Sequence, residues 1–112
     1  MIFSSGLRKS KTDVVSVNNV SFVNGKQIIS VRARGGYSPR VSLARADMPT
    51  VLRMETKGTF DCSSALIIPS IDYRGYLPQA GITEIEISPQ KSGTTLKGFC
   101  AMGMYSFQVK FN

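Results

Sequence analysis

Apolar and polar residues alternate along four stretches of the sequence, and each stretch predicts a half-buried β-strand. A period of two residues places successive side chains on opposite faces of a strand. No stretch shows the sustained 3.6-residue period of an amphipathic helix, so the pattern predicts an all-β chain. The stretches are QIISVRAR, TVLRMET, ITEIEIS and YSFQVKF, with predicted inward residues Ile29, Val31, Ala33, Leu52, Met54, Thr83, Ile85, Ile87, Tyr105, Phe107, Val109 and Phe111.

Glycine and proline separate these stretches at intervals that suit short strands joined by loops. About six to eight strands fit the spacing, and a Greek-key β-sandwich or a barrel-like relative would close them around one core. The length of 112 residues suits one domain. Residues 1–20 are predicted to be a flexible basic leader or linker, and residues 21–112 are predicted to be the folded domain.

The chain is basic, with 14 Lys and Arg against 7 Asp and Glu and a formal net charge of +7. Such a charge is compatible with an acidic protein, an anionic membrane surface or nucleic acid as a partner. The basic residues are scattered, which favours a solvated surface over a nucleic-acid groove. No apolar run approaches the roughly 20 residues that a membrane-spanning helix needs.

Histidine is absent from the sequence, and this excludes several kinds of catalytic site. A Ser-His-Asp triad, a Cys-His nucleophile and a His-ligated zinc site all require an imidazole. Glu84 and Glu86 lie on one face of a predicted strand, where solvent exposure explains them better than an acid-base pair. No phosphate-binding glycine loop is present. We therefore expect that the protein is not an enzyme.

Sulfur is the remaining candidate chemistry. Cys62 follows one predicted strand, and Cys100 begins the segment CAMGM near the end of the chain. If the fold brings the two cysteines together, Met102 and Met104 could complete a set of two thiolates and two thioethers, with Gly103 allowing a tight turn between them. Soft sulfur donors select Cu(I), or Ag(I) in vitro, over hard cations. The hard carboxylate of Asp61 is not counted as a ligand.

Two other interpretations of these residues stay open. The cysteines could form a structural disulfide, in which case no metal is bound and the domain is an interaction module that docks an acidic partner or an anionic membrane. The methionines could simply pack in the core or in a loop. An oligonucleotide-binding barrel with Tyr37, Phe60 and Tyr73 as stacking platforms would suit the charge but leaves the cysteine-methionine cluster unexplained.

Residues 27–112 resemble the cupredoxin-like domains of bacterial membrane proteins and heavy-metal transport systems, a family with the fold of plastocyanin and azurin. The resemblance is carried by the GYSP turn, the spacing Cys-x5-Ile-Pro, LP before TEIEI, the SPQKSG turn and the closing FCAMGMYSFQVKF. It implies a first metal ligand at Cys62 and the others at Cys100, Met102 and Met104. Because no imidazole is present, the resemblance implies a site that holds Cu(I) rather than a blue electron-transfer centre.

The resemblance also implies a function in copper handling, storage or hand-off next to a membrane transporter. The expected partners are a copper-donating or copper-accepting protein or a parent membrane transporter, and no nucleic acid is expected. The expected location is the extracytoplasmic face of a bacterial membrane, with the domain monomeric. Phe60, Phe99 and Tyr105 are expected to shield the metal, and Tyr37 is expected to pack beneath it.

Overall fold

The computed structural model describes residues 15–16 and 18–112. Eleven strands form within them, together with two single-turn 3-10 helices at Cys62–Ser64 and Pro69–Ile71. The strands are β1 Val15–Ser16, β2 Val20–Val23, β3 Lys26–Ala33, β4 Tyr37–Ser38, β5 Val41–Ala44, β6 Thr50–Lys57, β7 Ala65–Ile68, β8 Tyr73–Tyr76, β9 Ala80–Ile87, β10 Thr95–Cys100 and β11 Ser106–Phe111.

The strands form two sheets that share one hydrophobic core. The first sheet has the order β1-β5-β11-β10-β7-β8, and the second has the order β2-β3-β6-β9 with β4 paired to β3. Both sheets are mixed, because β3 pairs with β6 and β5 pairs with β11 in parallel while most other neighbours are antiparallel. Parallel pairing places the ends of β3 and β6 side by side, so the loops that follow them meet at one end of the molecule.

The all-β prediction is confirmed, and so are the four alternating strands. They correspond to β3, β6, β9 and β11, and their predicted inward side chains are buried, with Thr83 and Tyr105 partly so. The predicted count of six to eight strands was too low. The two-residue strands β1 and β4 are too short to show an alternating pattern, and they form through pairing with β5 and β3.

Most of the predicted leader, residues 1–20, lies outside the described residues. In the described part of this stretch, Val15 and Ser16 pair with β5, and Val20 pairs with Ile29 of β3. The boundary at residue 21 therefore cuts into paired strands. No helix among the described residues is long and apolar enough to cross a membrane.

The core is centred on Phe107, which projects from β11 between the two sheets and is 1% exposed. Its register partner in β10 is Gly98, where an added Cβ atom would overlap the Phe107 ring. The ring of Tyr37 meets Phe107 edge-on with the ring centroids 5.0 Å apart. Gly98 therefore makes room for a large aromatic side chain that supports Tyr37 and, through it, the end of the molecule where the cysteines lie.

Candidate metal centre

Cys62 and Cys100 come together because β7 and β10 are antiparallel neighbours. In their register Leu66, near the start of β7, lies opposite Cys100 at the end of β10. The 3-10 turn that carries Cys62 immediately precedes β7. The two cysteines form a disulfide, with 5.8 Å between their Cα atoms. The alternative interpretation of a disulfide thus describes the state of the pair in this structure.

The 3-10 turn that holds Cys62 is fixed by the carboxylate of Asp61. This side chain accepts hydrogen bonds from the backbone N–H of Ser63 at 2.8 Å and from the Ser63 hydroxyl. It also accepts one from the backbone N–H of Gly35 at 2.7 Å. These donors, first those of Ser63, lower the pKa of the Asp61 carboxyl below its ordinary value. Asp61 thus connects the Cys62 turn to the loop between β3 and β4.

Tyr37 supports the same turn from inside the molecule. Its hydroxyl donates a hydrogen bond to the carbonyl oxygen of Ser63 at 2.9 Å, and the side chain is 5% exposed. Burial, and then the nearby charge of Asp61, raise the pKa of Tyr37 well above its usual range. Tyr37 therefore lies under the turn that carries Cys62, while its packing beneath a bound metal stays a prediction. Because it is buried, Tyr37 cannot be a stacking platform for bases.

Met102 and Met104 lie in the turn that follows Cys100, between β10 and β11. The backbone N–H of Gly103 donates to the carbonyl of Cys100 at 2.8 Å, and Gly103 has a φ of 75°, so the role expected for this glycine is confirmed. Because β10 ends at Cys100, strand alternation does not place the cysteine and both methionines on one face. Both methionines are exposed, at 77% and 66%.

The predicted aromatic shield is present only in part. Phe60 is 74% exposed, so it does not cover the cysteines. Phe99 precedes Cys100 in the same strand, and alternation sends its side chain to the opposite face of the sheet. Tyr105 is partly buried and packs against Gly36, in the loop before β4. Of the three residues, Phe60 is exposed while Phe99 and Tyr105 are partly buried.

Sequence reasoning missed the part played by Asp61. It treated this residue only as a rejected metal ligand, whereas the structure shows an N-cap that also binds a second loop. The signal was available in the segment DCSS, because Asp before a short turn with Ser two residues later is typical of an N-cap. The bond to Gly35 had no sequence signal, since the two residues are 26 positions apart.

No protein-family model and no curated protein matches this sequence. Its fold is shared by a number of solved structures, among them the following two. One is the metal-binding domain of the Cu(I)-exporting P-type ATPase CopA of Streptococcus pneumoniae D39 with Cu(I), with a TM-score of 0.77 and 18% sequence identity over 91% of this chain and 99% of that one. The other is the apo form of a copper-binding protein, with a TM-score of 0.74 and 22% identity over 83% and 94% of the two chains.

The Asp61 hydrogen bonds predict a pH-dependent stability. At pH 7, Asp61→Asn should lower the free energy of unfolding by about 1 kcal/mol, because a charged acceptor for three donors is lost. The folded-state pKa is depressed from 3.8, so the contribution is present above that pH and disappears as the pH falls through the depressed value. Urea unfolding of both proteins between pH 7 and pH 2.5 measures this difference.

A matched control for Asp61 is Asp72→Asn, which makes the same charge change at an exposed residue at the opposite end of β7. Asn tolerates the left-handed backbone of Asp72, where φ is 56°. A stability difference between wild type and Asp61→Asn that stayed constant down to pH 2.5 would contradict the assigned role of the carboxylate.

Proposed function

We propose that the reduced domain binds Cu(I) through Cys62, Cys100, Met102 and Met104. The observation that carries this proposal is the position of the two cysteines, whose Cα atoms are 5.8 Å apart at the end of the sandwich where the methionine turn begins. Two thiolates and two thioethers within one short turn and its neighbour are a soft donor set. Such donors favour Cu(I) over zinc, magnesium or calcium.

Only the reduced form of the protein, in which the disulfide is broken, can bind the metal. Thiolate sulfur, not disulfide sulfur, is the metal ligand, so the pair must first take up two electrons. Cys100 is fully buried and Cys62 is partly exposed, so a metal would approach from the side of Cys62 and of the exposed methionines. Among the described residues no group of three or more His, Cys, Asp and Glu side chains forms another candidate site.

We further infer that the domain is a histidine-free variant of the cupredoxin-like fold. Its support is the arrangement of two mixed sheets around one core, with one cysteine before β7 and the other at the end of β10. Two of the structures that share the fold are described as a copper-binding protein and as the metal-binding domain of a Cu(I)-exporting ATPase. This likeness in fold agrees with a copper site but does not by itself assign one.

In this proposal the domain works without catalysis and as a monomer, and it receives Cu(I) from one protein and passes it to another beside a membrane transporter. The exposed thioethers favour hand-off over permanent storage, because a partner's soft ligands can reach them without unfolding the turn. An extracytoplasmic location on a bacterial membrane is consistent with a disulfide, since such bonds persist in oxidising compartments.

The test of this proposal is a titration of the fully reduced protein with Cu(I) under argon, in competition with a coloured chelator. We expect one tight equivalent that protects both thiols from alkylation. Zn(II) should not compete at a similar concentration, because thioethers are poor ligands for it. Binding that leaves both thiols reactive would overturn the assignment of the cysteines.

The disulfide also favours a second function, an interaction module in which the bond is purely structural. In that case the reduced protein would bind no Cu(I), and its thiols would return rapidly to the disulfide in air. The basic surface would then carry the function by docking an acidic partner or an anionic membrane. Counting free thiols before and after the Cu(I) titration separates the two functions.

Met102 and Met104 are expected to raise the affinity for Cu(I) without affecting the stability of the fold. Met104→Leu should weaken Cu(I) binding about tenfold while the unfolding midpoint changes little, because the side chain is 66% exposed and leucine is similar in size. Met102→Leu should act in the same direction. Met54→Leu is the control, since Met54 is fully buried in β6 and should alter stability but not affinity. If the double variant Met102→Leu/Met104→Leu bound Cu(I) as tightly as the wild type, neither thioether would be a ligand.

A further inference from the structure

An open pocket lies between the loop that follows β3 and the start of β11, and neither cysteine lines it. Its volume is about 380 Å³, which is within the range of small-molecule sites. The wall on one side is the backbone of Gly35 and Gly36, and Tyr105 lies against Gly36. The thioether side chain of Met104 lies at its edge. The pocket therefore borders the methionine turn directly.

The charge of this pocket is positive. Arg34 and Arg40 both line it and both are exposed. No carboxylate is among the lining residues, and within the described part of the chain the one ion pair joins Arg53 of β6 to Glu84 of β9, away from the pocket. The nearby carboxylate of Asp61 already accepts three hydrogen bonds. The two guanidinium groups are thus available to a carboxylate ligand.

The pocket is connected to both cysteines through the backbone. The N–H of Gly35, which belongs to its wall, donates at 2.7 Å to Asp61, and Asp61 directly precedes Cys62. On the other side, the carbonyl of Tyr105 accepts a hydrogen bond from the N–H of Cys100 at 3.0 Å. A molecule held in the pocket therefore lies next to the turns that carry the disulfide.

We propose that this pocket binds a small anionic thiol and that the bound thiol opens the Cys62–Cys100 disulfide. Arg34 and Arg40 would hold the carboxylates of the thiol compound, while its sulfur lies on the side of Met104 and Cys62. The proposal goes beyond the proposed function in naming the reductant that prepares the site. It rests on the proposed function only for the reason why the disulfide must be reduced. The binding of the thiol and the reduction of the disulfide are themselves measured without copper.

The reaction consumes two molecules of thiol for each disulfide. The thiolate of the first attacks the sulfur of Cys62, the more exposed of the two cysteines, and forms a mixed disulfide while Cys100 leaves as a thiolate. The thiolate of the second attacks the sulfur of the bound compound, which frees Cys62 and produces the oxidised form of the small thiol. The two protons released by the thiols are taken up by the two cysteine thiolates.

The experiment compares the reduction of the oxidised protein by an anionic and by a neutral thiol. Glutathione is the anionic probe and 2-mercaptoethanol is the neutral one, and samples are quenched with N-ethylmaleimide and measured by intact-mass spectrometry. Arg34→Gln/Arg40→Gln should slow reduction by glutathione about fivefold at low ionic strength, because two attractive charges are removed. Reduction by 2-mercaptoethanol should keep its rate.

Two controls separate the pocket from general effects. Lys26→Gln/Lys91→Gln removes the same charge from exposed residues at the opposite end of the molecule and should leave both rates unchanged. S-methylglutathione cannot reduce the disulfide, and it should shift the backbone amide NMR signals of residues 34–40 and 104–106 in a saturable way.

The proposal is overturned if the arginine variant reduces at the wild-type rate with glutathione. It is also overturned if the lysine control slows reduction equally, which would be an effect of net charge, or if 2-mercaptoethanol is slowed as much as glutathione, which would be a structural effect. Failure of the reduced protein to bind Cu(I) would refute the proposed function and leave these rates untouched, so the two failures are distinguishable.

Discussion

Cys100→Ser is expected to remove tight Cu(I) binding and to destabilise the oxidised protein by about 4 kcal/mol. The stability estimate follows from the entropy of the loop that the disulfide closes, given the separation of 38 residues between the cysteines. The loss of affinity should exceed the roughly 100-fold effect of removing a group that only supports a metal ligand. Urea unfolding without reductant and the Cu(I) competition titration measure the two effects.

Wild-type protein in excess reductant is the control for this variant. Reduction removes the disulfide but keeps both thiols, so the stability difference between wild type and Cys100→Ser should largely vanish while the difference in Cu(I) affinity remains. An unfolding midpoint for oxidised wild type that equals that of Cys100→Ser would contradict a stabilising disulfide. An unchanged Cu(I) affinity in Cys100→Ser would refute the site.

Gly98→Ala is expected to lower the free energy of unfolding by about 3 kcal/mol although it adds a single methyl group. The new Cβ atom would overlap the ring of Phe107, which is 1% exposed and fixed by its edge-on contact with Tyr37. Because protein interiors are close-packed, neither ring can move without disturbing the core. Equilibrium urea unfolding gives the magnitude.

A double-mutant cycle identifies the cause of this loss. Phe107→Leu removes the ring edge, so Gly98→Ala/Phe107→Leu should be more stable than the sum of the single effects predicts. Lys97→Ala, at the exposed neighbouring position of β10, should change stability by no more than about 0.5 kcal/mol. A loss in Gly98→Ala that Phe107→Leu does not relieve would contradict the steric explanation.

These two predictions are linked through the packing beneath the cysteines. Phe107 supports Tyr37, and the hydroxyl of Tyr37 holds the carbonyl of Ser63 in the Cys62 turn. A disturbance at Gly98 should therefore reach the cysteine end of the molecule. We expect Gly98→Ala to speed the opening of the disulfide by 2-mercaptoethanol, because the turn loses its support from below.

The strands of this protein could be predicted where one face is buried and the other is exposed. In β3, β6, β9 and β11 the apolar positions of the alternating pattern are the buried positions, so their inward residues could be identified from the sequence. The strands β1 and β4 could not be predicted because a segment of two residues is too short to show an alternating pattern. Their existence depends on a partner strand that is distant in sequence.

The candidate metal ligands could be proposed from the sequence as a chemical set but not as a spatial arrangement. The absence of histidine and the segment CAMGM pointed to sulfur ligation from composition alone. The sequence did not indicate that β10 ends at Cys100, so the position of Met102 and Met104 relative to the two cysteines could not be predicted. A strand ends where its backbone hydrogen bonds to neighbouring strands end. Which strands are its neighbours depends on the topology of the whole sheet.

The all-β class, the inward residues of the long strands and a candidate set of soft donors could all be predicted from residue type and local spacing. The contact of Cys62 with Cys100, the bond from Asp61 to Gly35, and the shared pocket of Arg34 and Arg40 became evident only from the folded chain. These contacts join residues far apart in the chain. Their proximity arises from the parallel and antiparallel pairing of strands, a property that no short stretch of sequence contains.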